Sequence, residues 1–179
     1  TDIADIVVAL KAESSVVGRD NLSKAASLSH AKSIGMFRNL NAEPIVALKP
    51  TVVLGSWMAN PNSIYAQLNR HNIKAVNVIP QQTEQAFAKG IVQVGQYAGK
   101  TAQAQALSQQ WLRQMQPRAK TGKRYVFTYD GQMVAGKNTV PDTLIRLAGG
   151  TNAAANIDGM KPILRETWLT LQPDVVIVA

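Results

Sequence analysis

The chain contains no cysteine, two histidines and only four glutamates among its 179 residues. The absence of cysteine excludes disulfides, thiolate nucleophiles, cysteine-ligated zinc and iron–sulfur clusters. No apolar run approaches the ~18 residues that a membrane span needs, so a membrane span is not expected. Hydrophobic residues make up 46% of the chain and charged residues 17%, which predicts a folded rather than a disordered protein.

Basic residues outnumber acidic ones. Nineteen Lys and Arg against eleven Asp and Glu give a net charge of +8, which favours anionic ligands or surfaces. The basic residues are scattered singly, and no aromatic-rich basic strand accompanies them. Nucleic-acid binding is therefore not predicted.

One segment occurs twice, as Asn41–Leu54 and Leu164–Ile177, 123 positions apart. Each copy predicts a short helix that begins near a glutamate and is stopped by proline, followed by a continuous apolar run typical of a strand buried on both faces of a parallel sheet. The repeat predicts two similar lobes. Its matched pairs are Glu43 with Glu166, Leu48 with Leu171, Pro50 with Pro173, and Val52-Val53 with Val175-Val176.

Strands alternating with helices predict an α/β fold with a parallel sheet in each lobe. We expect an N-terminal lobe at 1–80, a helical connection at 81–122 and a C-terminal lobe at 123–179. Gly99 is expected to divide the connection, and a long helix over about 100–116 joins the lobes, with Leu107, Trp111 and Met115 on one face. The remaining predictions are helices over 2–10, 62–71 and 141–148, strands at Ser15–Gly18, Lys74–Ile79 and Arg124–Tyr129, a turn at Asp130-Gly131, and irregular structure from Asn152 to Pro162.

Four strings of the sequence, Gly35–Ser56, Met133–Thr139, Leu147–Ala153 and Gly159–Pro162, closely resemble the periplasmic haem-binding proteins of bacterial ABC importers. The resemblance implies a periplasmic substrate-binding protein, not an enzyme. Such a protein captures haem in the cleft between two lobes and delivers it to the permease dimer of an ABC importer in the inner membrane. By the same comparison an initial strand and the remainder of the second lobe are missing, so we expect a chain truncated at both ends.

The resemblance also implies a role for the paired glutamates. In such proteins they dock onto basic pockets of the two permease subunits, and the matching positions here are Glu43 and Glu166. A carboxylate in the first turn of a helix also stabilises that helix by roughly 0.3–1 kcal/mol. The two effects can coexist.

The chain departs from the family's pattern at the residue that ligates the haem iron. The usual tyrosine would fall near Lys24–Ala26, where there is none, and Met36 replaces the tyrosine of a Gly-Tyr-x-Arg string. Axial ligation needs a phenolate, imidazole, thiolate or thioether. The candidates in this region are His30 and Met36, although a lone histidine in a polar loop is more often a solvated surface residue.

The other cleft candidates follow from position. Trp57 and Tyr129 come at the ends of predicted strands, where they can lie flat against a porphyrin or pack between the lobes. Arg38 stands where the family has an arginine, and with Lys137 and Lys161 it can pair with haem propionates. Each lysine can equally be a solvated surface residue.

Two alternatives remain open. A ferric siderophore or cobalamin can be the ligand of the same architecture, and the missing tyrosine supports this. A doubly wound α/β enzyme is the other class. It is disfavoured because the chain has no Gly-x-Gly-x-x-Gly opening a helix, no phosphate-binding loop and no nucleophile motif.

Overall fold

The computed structural model describes residues 2–179, which form two compact α/β units. Unit 1 runs to Pro80 and resumes over Ala86–Trp111, and unit 2 consists of Gln81–Gln85 and Leu112–Ala179. The α/β class is therefore confirmed. Residues 86–111 of the expected connection belong to unit 1 in this division, and the lobes 1–80 and 123–179 stay a prediction.

Helices and strands alternate along unit 1. In chain order they are α1 (Asp2–Ala9), β1 (Gly18–Arg19), β2 (Lys32–Ser33), α2 (Ala42–Ala47), β3 (Val52–Ser56), α3 (Ile64–Arg70), β4 (Lys74–Ile79), α4 (Glu84–Tyr97) and α5 (Thr101–Gln114), the last two reaching a few residues into unit 2. Strands β1 and β2 form one parallel pair, and β3 and β4 form another.

Helices cover both faces of the β3–β4 pair. On one face, Ile6 of α1 and Leu10, which follows that helix, pack with Val78 and with residues of α4 and α5. On the other, residues of α2 and α3 such as Ile45 and Leu68 form a second buried cluster. Leu54 packs against the first cluster and Val53 against the second, as the alternation of side chains along a strand requires.

The connection between α4 and α5 turns at Gly99, whose φ is +67°, as the sequence predicted. The two helices approach closely because Gly95 lies against the Ala104 methyl group, where there is no room for a Cβ. The Phe87 and Trp111 rings are 4.6 Å apart between centroids. Leu107 and Trp111 pack on the core, but the expected third member of the stripe, Met115, lies just beyond the end of α5.

Unit 2 is built on a mixed sheet. Its elements are β5 (Arg124–Tyr129), β6 (Met133–Ala135), α6 (Val140–Leu147), β7 (Thr151–Asn152), β8 (Met160–Pro162), α7 (Arg165–Leu171) and β9 (Val175–Val178). Strand β5 is central: it is parallel to β7 and β9 and antiparallel to β6, which pairs with β8. The β5–β6 turn has positive φ at Asp130 and Gly131, as expected for a tight hairpin.

Three predictions about local structure are wrong. The segment predicted irregular, from Asn152 to Pro162, contains residues of β7 and β8. Of the predicted strand Ser15–Gly18, Ser15 ends a 3-10 turn, Val16 and Val17 are irregular, and β1 begins only at Gly18. Strand β9 is not buried: its four residues are 37–64% exposed, and within residues 2–179 it pairs with β5 alone. Short strands held by tertiary pairing carry too little local pattern to be read from sequence.

Among the described residues, no helix combines the length and the apolar character that crossing a bilayer requires.

Candidate functional site

Two loops of unit 1, which follow the carboxyl ends of β2 and β3, are hydrogen-bonded to each other through Asn60. Asn60 donates its backbone N–H to the Phe37 carbonyl (2.9 Å) and its side-chain amide to the Arg38 carbonyl (3.1 Å), and its own carbonyl accepts the Leu40 N–H (2.9 Å). In α/β proteins, loops that follow the carboxyl ends of parallel strands are where ligands bind. Sequence reasoning missed Asn60, and the Asn-Pro pair, a turn signal, is the one mark it leaves in the sequence.

Three of the predicted ligand residues lie on these joined loops. Met36 and Trp57 are 39% and 40% exposed. The Arg38 guanidinium lies over the Phe37 ring, 5.3 Å from its centroid. The backbone N–H of Trp57 donates to the Ile79 carbonyl at 2.8 Å, which fixes the backbone at Trp57. The two joined loops thus carry a thioether that can coordinate iron, an indole that can stack and a guanidinium that can pair with a carboxylate.

His30 lies elsewhere in unit 1. It is exposed and precedes the amino end of β2, whereas Met36 follows the carboxyl end of that strand. Six residues in extended conformation span up to about 20 Å. His30 and Met36 therefore lie on opposite sides of β2 along the chain, and only Met36 is on the loops that Asn60 joins.

The loop in which the resemblance expects a tyrosine opens on Asp20. The Asp20 carboxylate accepts hydrogen bonds from the Leu22 N–H (2.8 Å) and from the Ser23 N–H and hydroxyl (3.2 and 2.6 Å). Burial raises the pKa of Asp20, whereas these hydrogen bonds lower it. The lowering is the larger effect, so the pKa of Asp20 lies below its usual value. The carboxylate therefore orders the start of this loop, and residues 24–26 supply no phenol, imidazole or thioether.

Tyr65 lies in α3, and its hydroxyl already makes a hydrogen bond. It donates to the Ser56 carbonyl at 2.9 Å, at the end of β3. Burial, together with the negative charge of Asp2, raises the pKa of Tyr65 to about 12. A phenolate is the form that ligates ferric haem. Tyr65 is therefore a structural residue here and a poor candidate ligand.

The candidates of unit 2 lie on the β5–β6–β8 part of its sheet. Tyr129 ends β5, is 47% exposed and packs edge-on against Phe127 at 5.2 Å between centroids. Lys137 follows β6 and is exposed, with its N–H bonded to the Ile157 carbonyl at 2.8 Å. Lys161, also exposed, lies in β8.

The register of these strands separates two of the three candidates. Met133 is opposite Tyr129, whereas Val134 is opposite Lys161. Successive residues of a strand point to opposite faces, and residues directly opposite each other share a face. Tyr129 and Lys161 therefore lie on opposite faces of the sheet.

The string Leu147–Ala153, which carried much of the resemblance, performs structural work in unit 2. The Asn152 side chain donates to the Ala135 carbonyl (3.1 Å) and to Asp142 (2.8 Å), and accepts the Ala154 N–H (3.0 Å). Gly149 has φ +83° and packs against the Ala119 carbonyl. These contacts hold β6, α6 and β7 together, so the resemblance in this string supports the fold first of all.

The paired glutamates occupy matching positions in the two units. Glu43 lies in the first turn of α2 and Glu166 in the first turn of α7, as the repeat predicted, and both are exposed. The helices differ in their caps: Asn41 accepts the Glu43 N–H at 3.1 Å, but α7 begins after Leu164 without a side-chain cap. Docking itself stays a prediction.

Within residues 2–179, no cluster of three or more His, Asp or Glu side chains is arranged to hold a metal ion.

Two α/β units, related by a repeated helix–strand segment, carry exposed side chains on loops at the carboxyl ends of parallel strands, which is the place where α/β folds bind ligands. Over residues 1–179 the chain matches the family model described as periplasmic binding protein, and it belongs to that family.

Similar proteins agree with this assignment. The periplasmic heme-binding proteins HutB of Vibrio cholerae and RhuT of Roseiflexus sp. RS-1 are 30% and 31% identical, with TM-scores of 0.81 and 0.84. The matches cover 98% and 99% of this chain and 72% and 73% of theirs. A vitamin B12-binding protein of Photorhabdus laumondii is 26% identical over 89% of this chain, which spans 63% of that protein's length.

Proposed function

We propose that this chain binds haem as a transported ligand and is the periplasmic substrate-binding component of an ABC importer. The observation that supports this best is the pair of loops joined by Asn60, which presents Met36, Arg38 and Trp57 together at the carboxyl ends of parallel strands. The similarity to two heme-binding proteins at 30% and 31% identity supports the same ligand.

The chemistry of the three side chains suits haem. In this proposal the Met36 thioether coordinates the iron, the Trp57 indole stacks on the porphyrin and the Arg38 guanidinium pairs with a propionate. The net charge of +8 adds a general attraction for the dianionic ligand. From unit 2, Tyr129 and Lys137 are the proposed further contacts, with Lys161 less well placed because of its register.

Cobalamin is the second candidate ligand. The similarity to the vitamin B12-binding protein favours it, and so does the absence of the usual tyrosine, since cobalamin brings its own axial base. A ferric siderophore is the third. All three ligands are compatible with a binding protein and none requires catalysis.

Parallel titrations distinguish these ligands. The protein is titrated with haemin, with cyanocobalamin and with a ferric hydroxamate siderophore, and binding is followed by absorbance and by calorimetry. We expect a shifted Soret band that saturates at a fixed stoichiometry with haemin. Saturable binding of cobalamin or of the siderophore, with no spectral response to haemin, would overturn the proposal.

The proposed partner is the permease dimer of the importer, and the proposed contacts are Glu43 and Glu166, one in each unit. Exposure of both carboxylates supports this, because a docking carboxylate must reach a basic pocket on the partner. The proposed location is the periplasm, which the family supports. The predicted lobes, 1–80 and 123–179, would each present one carboxylate.

A further inference from the structure

After Glu43, unit 1 contains no acidic residue. Its residues 44–80 and 86–111 carry five basic side chains, which are scattered singly along the sequence: Lys49, Arg70, Lys74, Lys89 and Lys100. The fold gathers four of the five, all except Lys89, at the amino ends of β3 and β4. These four residues, Lys49, Arg70, Lys74 and Lys100, form a basic edge of unit 1.

Two of the four lie where β3 and β4 begin. Lys74 is the first residue of β4 and is opposite Val52, the first residue of β3, so the two parallel strands start side by side. Lys49 lies just ahead of β3, and both lysines are exposed. The two side chains therefore belong to the same end of the strand pair.

The end of α3 brings Arg70 to the same place. The Asn69 side chain donates to the Ala75 carbonyl at 3.2 Å and accepts the Ala75 N–H at 3.1 Å. These two hydrogen bonds hold the last turn of α3 against the start of β4. Arg70, which is the next residue and the last of the helix, is exposed and adjoins the start of β4.

Lys100 joins the basic edge through the end of α4. The Lys74 ammonium lies 4.9 Å from the centroid of the Tyr97 ring, and Tyr97 is the last residue of α4. Lys100 follows in the turn to α5, where its N–H donates to the Gly95 carbonyl at 2.7 Å. Four basic residues from four different connections of the chain thus lie at one end of the β3–β4 pair.

Helix stabilisation does not account for this arrangement. The macrodipole of a helix favours basic residues at its carboxyl end, which explains Arg70 in the last turn of α3. It does not explain Lys74, which begins a strand, or Lys100, which directly precedes α5, where a cation is unfavourable. Within residues 2–179, no carboxylate forms an ion pair with any of the four side chains. Their positive charge is therefore available to an anionic partner.

We propose that the basic edge binds the surface of a lipid bilayer that contains anionic phospholipids. Clustered basic residues are attracted to such a surface within about a Debye length. Three of the four residues are lysines, which are depleted in protein interfaces and bind phosphates as point charges. Tyr97, 37% exposed beside them, has the apolar ring and polar tip of residues that lie at the headgroup level. Lipid phosphates are therefore a better match than the acidic face of a protein.

The basic edge is distinct from the candidate ligand site. Trp57 follows the carboxyl end of β3, whereas Lys49 precedes its amino end, and the five residues of β3 span about 17 Å. A bilayer bound at the basic edge therefore contacts a different end of unit 1 from the loops that Asn60 joins.

Co-sedimentation with vesicles tests the proposal. The whole chain is mixed at low ionic strength with vesicles of phosphatidylcholine, alone or with phosphatidylglycerol as about a third of the lipid. We expect saturable binding to the anionic vesicles, little binding to the neutral ones, and progressive release as salt screens the charges. No binding to the anionic vesicles, or equal binding to both kinds, would overturn the proposal.

Two double variants of equal net charge locate the binding surface. Lys49→Gln combined with Lys100→Gln removes half of the basic edge and keeps the contact between Lys74 and Tyr97. A basic residue near an anionic bilayer strengthens binding by roughly fivefold, so this variant should bind the anionic vesicles about 25-fold more weakly.

The matched control is Lys24→Gln combined with Lys89→Gln, which lowers the net charge by the same amount. Both lysines are exposed: Lys24 lies in the loop after β1, and Lys89 precedes Gly90, which packs against Ile79 at the carboxyl end of β4. This control should bind within a fewfold of the parent. Equal weakening by the two double variants would show that only the overall charge acts, and would refute the basic edge.

A fluorescent label provides a readout that does not depend on loss of charge. The chain contains no cysteine, so Gln96→Cys, at an exposed position next to Tyr97, gives a single attachment point for an environment-sensitive fluorophore. Its emission should shift to shorter wavelength with anionic vesicles. The same label at Asn62→Cys, exposed in the loop after β3, should not shift. An equal shift at both positions, or none at Gln96→Cys, contradicts the proposal.

Soluble polyglutamate distinguishes a lipid surface from a protein partner. Saturable binding of polyglutamate, without binding to anionic vesicles, would overturn the lipid assignment in favour of an acidic protein surface. None of these measurements contains haem, so their failure is distinguishable from failure of the proposed haem binding.

Discussion

Arg146 donates two hydrogen bonds from Nη2 to the two carboxylate oxygens of Glu84, at 3.1 and 3.0 Å. The Glu84 side chain is 7% exposed and that of Arg146 54%. Burial raises the pKa of Glu84. Three hydrogen bonds, from its own backbone N–H, from Arg146 and from Gln85, lower the pKa, and so does the charge of Arg146. Together they outweigh burial, so the pKa of Glu84 lies below the usual 4.5. The ion pair fastens Gln81–Gln85 to α6 within unit 2.

This pair predicts a pH-dependent loss of stability. A carboxylate with a lowered folded-state pKa stabilises the fold above its unfolded pKa, and the contribution is lost as pH falls from about 4.5 through the folded value. Arg146→Ala, which leaves the buried carboxylate without its guanidinium, should lower the free energy of unfolding by about 1–3 kcal/mol at neutral pH. Urea unfolding at about pH 7 and about pH 3 measures this. The ion pair would be contradicted if Arg146→Ala lowered the free energy of unfolding equally at both pH values. It would also be contradicted if the exposed control Arg113→Ala lowered it by the same amount.

Ligation can be tested by removing each candidate side chain. Met36→Ala should shift the Soret band of the haem complex and weaken haemin binding at least tenfold, because the thioether is the candidate on the loops joined by Asn60. His30→Ala should leave the spectrum unchanged, as should His71→Ala, the control at the end of α3. A spectral change with His30→Ala alone would reverse this order of candidates.

The joined loops predict a positioning role for Asn60. Asn60→Ala removes the side-chain hydrogen bond to the Arg38 carbonyl, which is worth about 0.5–1.5 kcal/mol, and leaves the backbone bonds to Phe37 and Leu40 in place. Haemin affinity should fall severalfold while thermal stability changes little. If Asn60→Ala and Arg38→Ala are combined, their effects should be less than additive, because both act through the same loop. Full additivity would indicate that Asn60 does not act through Arg38.

The docking assignment predicts a loss of transport without a loss of binding. Glu43→Lys and Glu166→Lys should each keep haemin affinity and reduce stimulation of ATP hydrolysis by the reconstituted importer, because a basic pocket would meet a like charge. Glu13→Lys carries the same change of charge at a 3-10 helix and is the control. Stability should fall more with Glu166→Lys, whose helix lacks a side-chain cap, by up to about 1 kcal/mol. A double variant that stimulates ATP hydrolysis as well as the parent would refute docking.

Close helix packing in unit 1 predicts an unusual response to alanine. Gly95→Ala should destabilise the chain by about 1–3 kcal/mol even though alanine favours helix, because the new methyl group would collide with Ala104. Gln96→Ala, an exposed substitution on the same helix, should be neutral or slightly stabilising. Thermal unfolding of both variants measures these changes in stability. A Gly95→Ala variant more stable than the parent would show that α4 and α5 can separate.

Much of the fold could be predicted from residues that act locally. Strands β4 and β5 have the predicted bounds, and the helices at Glu43 and Glu166 begin where the repeat indicated. Apolar runs, prolines and capping residues act within a few positions, so their effect is readable in order along the chain. The position of Trp57 on a loop after a strand was readable for the same reason, whereas the two-residue strand β2 before Met36 and Arg38 was not predicted.

The pairings of distant residues were not readable. Arg146 meets Glu84 across 62 positions, and Asn60 meets Arg38 across 22, because backbone segments far apart in sequence happen to converge. Strands β1 and β7, of two residues each, exist only through their neighbours. The sequence by itself determined the longer helices and strands, through short-range sterics and burial preference. The tertiary structure decided the shortest strands and which side chains meet, because those depend on how distant segments pack.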